Sequence, residues 1–387
     1  MSAIYLDYGS TTPLDPRVLD AMLPYLKENF GNPLSLHQFG DKPREAMEKA
    51  REQVAALIGA RAQEIYFTAT GSEANNFALK GVAMAHRQRG NHLVISTIEH
   101  ASVMNSAKTL EKLGFEVSTV PVDKWGLVDP AAVKETLRDD TILVSVMHAN
   151  PEIGTIEPIA DIARAAHERD ILFHTDAVMS AGTIPVDVGE MEIDLLSLAG
   201  HQFYGPNGGA ALFVRKGVRI MPFIDGGIQE RGRRAGTENI PAIVGLGTAA
   251  ELAQAEMKAR AERLIPLRDQ LMIGLEESIP YTIVTGHKTR RLPGHVSACF
   301  EYVEGEGMML HLDMMGIAVS SGSTCTSKAL KASHVLSAIG IPAATANGSL
   351  VITMGEQTVP EDVDAVLEKL PPIVERLRKM SPLYKET

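Results

Sequence analysis

Ile142-Leu143-Val144-Ser145-Val146-Met147-His148 is an apolar run of strand length, and Ile171-Leu172-Phe173-His174-Thr175-Asp176-Ala177 is a second run that ends on a carboxylate. Residues 158–168 between them read as helical. Strand, helix and strand in that order form a βαβ unit, and apolar runs without alternation mark strands covered on both faces. Short apolar runs recur on either side, at 64–68, 93–96, 117–120, 195–199 and 210–214. Helical segments such as 73–89 separate most of them. Residues 43–58 place Ala46, Ala50, Val54, Leu57 and Ile58 at helical spacing, with Gly59 as the stop. The pattern predicts an α/β fold with a mostly parallel central sheet.

The alternation ends near residue 240. Residues 241–278 read as one long helical region, which Pro266 is expected to kink or divide. From residue 280 strands mix with a final helix over 361–378, which Pro371-Pro372 is expected to interrupt. The predicted division is a large domain over 13–260 and a smaller α+β domain built from 1–12 and 261–387.

Composition narrows the function classes. The 387 residues are 45% hydrophobic and 22% charged, enough for a sizeable core without staples. Two cysteines, Cys299 and Cys325, exclude a disulfide framework and a four-cysteine metal or cluster site held by this chain alone. A net charge of −11 argues against wrapping a phosphate backbone, so no nucleic-acid partner is expected. No signal peptide is visible at Met1, and no run reaches the apolar length of a membrane span. A soluble cytoplasmic protein is expected.

Five short segments carry chemistry. Thr70, Gly71 and Ser72 stand where a strand meets a helix, so their N–H groups suit a phosphate, although helix capping alone also accounts for them. Asp176 ends a strand, where a carboxylate faces the crevice in which α/β proteins bind ligands. Such a group can hold a protonated cofactor nitrogen, and capping of the next helix is the alternative. His100, after the 93–96 run, could stack on a ring or move protons. Residues 198–209 are a Gly-rich turn containing His201 and Gln202. Cys325 lies in a small polar loop, 320–327, which favours a reactive thiol, whereas Cys299 sits among apolar neighbours as a core residue.

Taken in order, these motifs resemble the cysteine desulfurases, in the class V aminotransferase group of pyridoxal-phosphate (PLP) enzymes of fold type I. The similarity runs nearly end to end, through Glu73-Ala74-Asn75-Asn76, Glu99-His100, His148-Ala149-Asn150, His174-Thr175-Asp176-Ala177, Tyr204-Gly205-Pro206, Gly236-Thr237-Glu238-Asn239 and Ser333-His334-Val335-Leu336. The resemblance implies a homodimeric transferase that takes sulfur from L-cysteine on PLP, leaves alanine, and passes a cysteine persulfide to a scaffold protein for iron–sulfur assembly. It implies catalytic roles for Cys325 and for the ring-stacking His100. It assigns cofactor contacts to Thr70, Gly71, Ser72, Asp176 and His201, to position 202, and to Thr237 lent by the other subunit.

Five positions depart from that pattern. Gln202 stands where the resemblance implies the Schiff-base lysine, and a carboxamide has no free amine. Ala199, Pro151, Met179 and Val351 replace polar or charged contacts. The losses lead to three expectations: a divergent member lacking the Schiff-base lysine; a degraded PLP site, with no covalent PLP; and Cys325 acting as sulfur acceptor or as ligand of an iron–sulfur cluster shared with a partner. The alternative is an active PLP-dependent desulfurase.

Overall fold

The computed structural model describes residues 3–322, 333–382 and 384. Its strands in chain order are β1 (Ile4–Tyr5), β2 (Ile65–Thr68), β3 (His92–Ser96), β4 (Glu116–Val120), β5 (Thr141–Ser145) and β6 (Leu172–Asp176). They continue with β7 (Leu195–Ala199), β8 (Ala210–Val214), β9 (Thr282–Val284), β10 (His295–Phe300), β11 (Ile317–Ala318) and β12 (Ser349–Thr353). Seven of them form the central sheet in the order β2-β8-β7-β6-β5-β3-β4. Only β8 runs against its neighbours, so the sheet is mostly parallel, as the apolar runs imply.

Successive residues of these strands enter opposite cores. Val94, Val144, Leu196 and Phe213 belong to one apolar cluster, with Leu246 and Ala250 of the helix Ile240–Ser278. Leu93, Leu143, Leu195 and Leu212, one residue earlier in each case, belong to another, with Phe77 and Val82 of the helix Gly71–His86. A period of two with both faces covered is what makes a strand apolar throughout.

A third cluster gathers Leu264, Leu271 and Leu275 with Phe300, Ile352, Val366 and Leu370. It packs under the antiparallel sheet β12-β10-β9. The N-terminal arm belongs to both regions. β1 pairs with β11, and Leu6 is buried in this third cluster. Thr12 then crosses to the central sheet, where its N–H and hydroxyl both donate to the His201 carbonyl at 2.9 Å.

Two expected helix breaks are corrected, the division at Pro266 and the interruption at Pro371-Pro372. Ile240–Ser278 is one helix through Pro266, and Pro360–Met380 is one helix through Pro371-Pro372. Pro266 and Pro372 are exposed, and so are Glu262 and Glu368, four residues before each. The carbonyls that lose an N–H partner there can bond water, while Leu264, Leu267, Leu370 and Ile373 stay buried.

Candidate active site

The carboxyl ends of the parallel strands, and the turns that follow them, bring the sequence-marked residues to one edge of the sheet. Asp176 is the last residue of β6 and is buried. Its Oδ1 accepts the Val178 N–H at 3.0 Å, and its Oδ2 accepts Asn75 Nδ2 at 2.6 Å. Burial pushes its pKa up, against the opposing pull of the nearby His100, the Val178 N–H and the Asn75 amide. Both oxygens accept hydrogen bonds, so the carboxylate is held ready for a cationic partner.

Thr70 is the N-cap of Gly71–His86, its hydroxyl accepting the Glu73 N–H at 3.0 Å. The capping reading of this segment is thus met, and the helix N-terminus still faces the same edge. A Cβ built on Gly71 would lie 2.5 Å from Val178 and 3.7 Å from the Ala199 methyl, so the helix start packs against the ends of β6 and β7. Ser72 is exposed. Glu73 steadies this turn: its Oε2 accepts the Ala69 N–H at 2.9 Å, and Oε1 pairs with Arg234 Nε at 2.8 Å.

His100 follows β3 and caps the helix Ala101–Lys112, with Nδ1 accepting the Ser102 N–H at 3.2 Å. The Ser102 hydroxyl lies 2.7 Å from the same nitrogen. Behind it, Glu99 is fully buried, with Oε1 accepting from Ser96 Oγ at 2.5 Å and the Met147 N–H at 2.9 Å. Burial pushes the Glu99 carboxyl up to about 8, and the nearby Asp176 charge adds to this.

His201 and Gln202 form the turn after β7. Burial lowers the His201 pKa, and its carbonyl is tied to Thr12. Gln202 Nε2 donates to the Gly9 carbonyl at 2.9 Å, which turns it toward the N-terminal arm. Gln202 and Met179 line a cavity of about 80 Å³ with Tyr8, Tyr204, His295 and Met354. Asp176 and His100 are not among its walls. Thr237 is exposed, in the segment that Arg234 ties to Glu73. Cys325 lies outside the described residues. Cys299 is buried in β10 with its pKa pushed up to about 12 by burial, a core thiol as the sequence indicates.

The other departing residues have structural contacts of their own. The Pro151 carbonyl accepts from His295 Nε2 at 2.8 Å. Val351 exchanges backbone hydrogen bonds with Ser320. Sequence reading missed Asn75 and Ser102 as members of the site. The signal available was a hydroxyl two residues after His100 and an amide one turn into the phosphate-loop helix.

Comparison with known proteins adds the following. The sequence pattern of the family described as aminotransferase class-V matches residues 4–366. The protein named cysteine desulfurase IscS of Dictyoglomus turgidum is 51% identical over 383 residues, covering 99% of this chain and 97% of its own. Cysteine desulfurase IscS 1 of Archaeoglobus fulgidus is 50% identical over 384 residues, covering 98% and 99%. Among solved structures, one titled NifS-like protein superposes with a TM-score of 0.91 at 37% identity, covering 97% of this chain and all of that one.

These matches overturn the expected degraded cofactor site, without covalent PLP and with a cluster shared with a partner. Chains about 50% identical to this one over nearly the full length carry the name cysteine desulfurase. The anchored Asp176, the Thr70–Gly71 helix start and His100 are all in place beside one another. They fit PLP, with a carboxylate for a protonated ring nitrogen, helix N–H groups for a phosphate and an imidazole beside them. Among the described residues, no group of three or more His, Cys, Asp or Glu side chains is placed to hold a metal ion. No helix among them is long and apolar enough to cross a membrane.

Proposed function

The chain belongs to the aminotransferase class-V family, and from that premise we propose that it is a PLP-dependent cysteine desulfurase that mobilises sulfur for iron–sulfur cluster assembly. The observation that carries this reading is Asp176, fixed at both oxygens at the end of β6 beside His100 and the helix start at Thr70.

When bound, PLP supplies an electron sink that weakens bonds at the substrate's α and β carbons. The chain's residues hold and orient it. Asp176 would keep a proton on the ring nitrogen, the N–H groups of Gly71 and Ser72 would take the phosphate with His201, and His100 would stack on the ring. Thr237 completes the phosphate contacts across a homodimer. The Cys325 thiolate attacks the sulfur of L-cysteine. The carbon–sulfur bond breaks, a sulfur–sulfur bond forms, and the products are L-alanine and a Cys325 persulfide. An iron–sulfur scaffold protein receives that sulfur in the cytoplasm, where thiols stay reduced.

The chain is a divergent member at position 202. Gln202 has no amine with which to give or take a proton, so the step that a lysine would assist is slower here.

The test incubates PLP-loaded protein with L-cysteine and a reductant, and measures alanine and sulfide against free PLP. Equal amounts of both products above that control are expected, with sulfide lost in Cys325→Ser. Alanine no higher than with free PLP overturns the reading.

A further inference from the structure

We infer that Asn75 and Ser102 form a one-way hydrogen-bond relay that joins Asp176 to His100 and fixes the neutral His100 ring with its proton on Nε2. Asn75 is 1% exposed, one turn into the helix Gly71–His86. Its Nδ2 donates to Asp176 Oδ2 at 2.6 Å and to Ser102 Oγ at 2.9 Å.

The direction of each bond follows from the chemistry of its neighbours. An ionised carboxylate only accepts, so the Asn75 amide must turn its NH2 group toward Asp176. The second N–H of that group then reaches Ser102, whose oxygen accepts it. The Ser102 hydroxyl hydrogen remains free to donate, and His100 Nδ1 lies 2.7 Å away. A backbone N–H can only donate, and the Ser102 N–H also points at His100 Nδ1, at 3.2 Å. Nδ1 therefore presents its lone pair to two donors, and the ring proton belongs on Nε2.

Asn75 Oδ1 is buried with no hydrogen-bond partner among the described residues. An amide kept there with its oxygen unpaired is used for its two donors. Asn75 is accordingly a positioning residue: it holds Asp176 through one N–H and sets the His100 tautomer through the other. In its neutral form His100 then offers a proton at Nε2 and does not take one there. This use of the relay in catalysis rests on the PLP reading, while the tautomer itself is a property of the chain alone.

The experiment is long-range proton–nitrogen NMR of the histidine rings in ligand-free, nitrogen-15-labelled protein, with the His100 signals identified by their loss in His100→Gln. In the wild type, a protonated Nε2 and a lone-pair Nδ1 are expected. In Asn75→Asp the new carboxylate draws the Ser102 hydroxyl to itself, Nδ1 keeps only the Ser102 backbone N–H as a donor, and the form protonated on Nδ1 gains population. A wild-type His100 protonated on Nδ1 overturns the inference without recourse to any variant. So does an Asn75→Asp protein that folds with the wild-type tautomer. PLP titration is read separately: Asn75→Ala, which removes the hydrogen bond to the Asp176 charge, should weaken PLP binding about tenfold. An unchanged affinity together with an unchanged tautomer overturns the relay. Failure of the wild type to bind PLP would overturn the proposed function and leave the tautomer result standing.

Discussion

Replacing Glu99 by Gln should change how the stability of this protein depends on pH. Glu99 is fully buried, its Oε2 has no hydrogen-bond partner, and burial raises its pKa from 4.5 to about 8. Below pH 4.5 the carboxyl is protonated in both folded and unfolded chains. Between 4.5 and 8 the folded chain holds a proton that the unfolded chain releases, so stability falls as pH rises. Each pH unit in that window removes about 1.4 kcal/mol, and the loss is complete above 8. Gln has the shape of the protonated acid and does not titrate. The stability of wild type relative to Glu99→Gln should therefore fall by about 2.7 kcal/mol from pH 5.5 to pH 7.5. Glu157 and Glu152, also raised by burial, titrate in both proteins and largely cancel. The assay is equilibrium guanidinium unfolding of ligand-free protein at fixed concentration, read by Trp125, whose carbonyl is held by Thr155 in the part of the chain that contains Glu99. A difference that does not vary with pH would refute the reasoning. Glu99 would then be an anion beside Asp176, and the site's charge would not be Asp176's alone.

Other outcomes follow from single contacts. Gln202→Lys supplies the amine that position 202 lacks, and should raise alanine formation from L-cysteine roughly 10²–10⁴-fold. An unchanged rate would show that position 202 does not limit turnover. Glu230→Ala strands the buried Arg51 guanidinium, which pairs with Glu230 at 2.8 and 2.9 Å, and should cost about 3–5 kcal/mol in chemical denaturation. A loss below 1 kcal/mol, taken as roughly the surface-pair value, would mean that the pair is not desolvated. In a Cys325→Ser protein the buried Cys299 should take up no thiol reagent at pH 8 until the chain is unfolded, and fast labelling of the native protein would contradict its burial.

The central sheet was legible in the sequence because residues such as Leu143 and Val144 both had to be apolar to cover its two faces. The reversed direction of β8 was not legible, since its run is as apolar as its parallel neighbours and the turn before it sets the direction. Pro266 misled because Glu262, four residues before it, is exposed, so its freed carbonyl can bond water while the buried leucines on the other face hold the helix together. Asp176, His100 and Thr70 were legible as residues at strand ends and a helix start. The Asn75 links were not, because they span 27 and 101 residues and depend on how three elements meet. The degraded-site reading added five lost side chains together as one loss of the site. Pro151 and Val351 have backbone partners that leave the Asp176 anchorage untouched, so those losses do not add up to a missing pocket.

The claim that this chain keeps a PLP site is tested most directly by titrating purified wild type and Asp176→Ala with PLP and following absorbance and fluorescence. The account predicts saturable binding of one PLP per chain by the wild type. It also predicts a loss of about 10–150-fold in affinity for Asp176→Ala, the range for a hydrogen bond to a charged group. Absence of saturable binding by the wild type, or equal affinity in the two proteins, would contradict it.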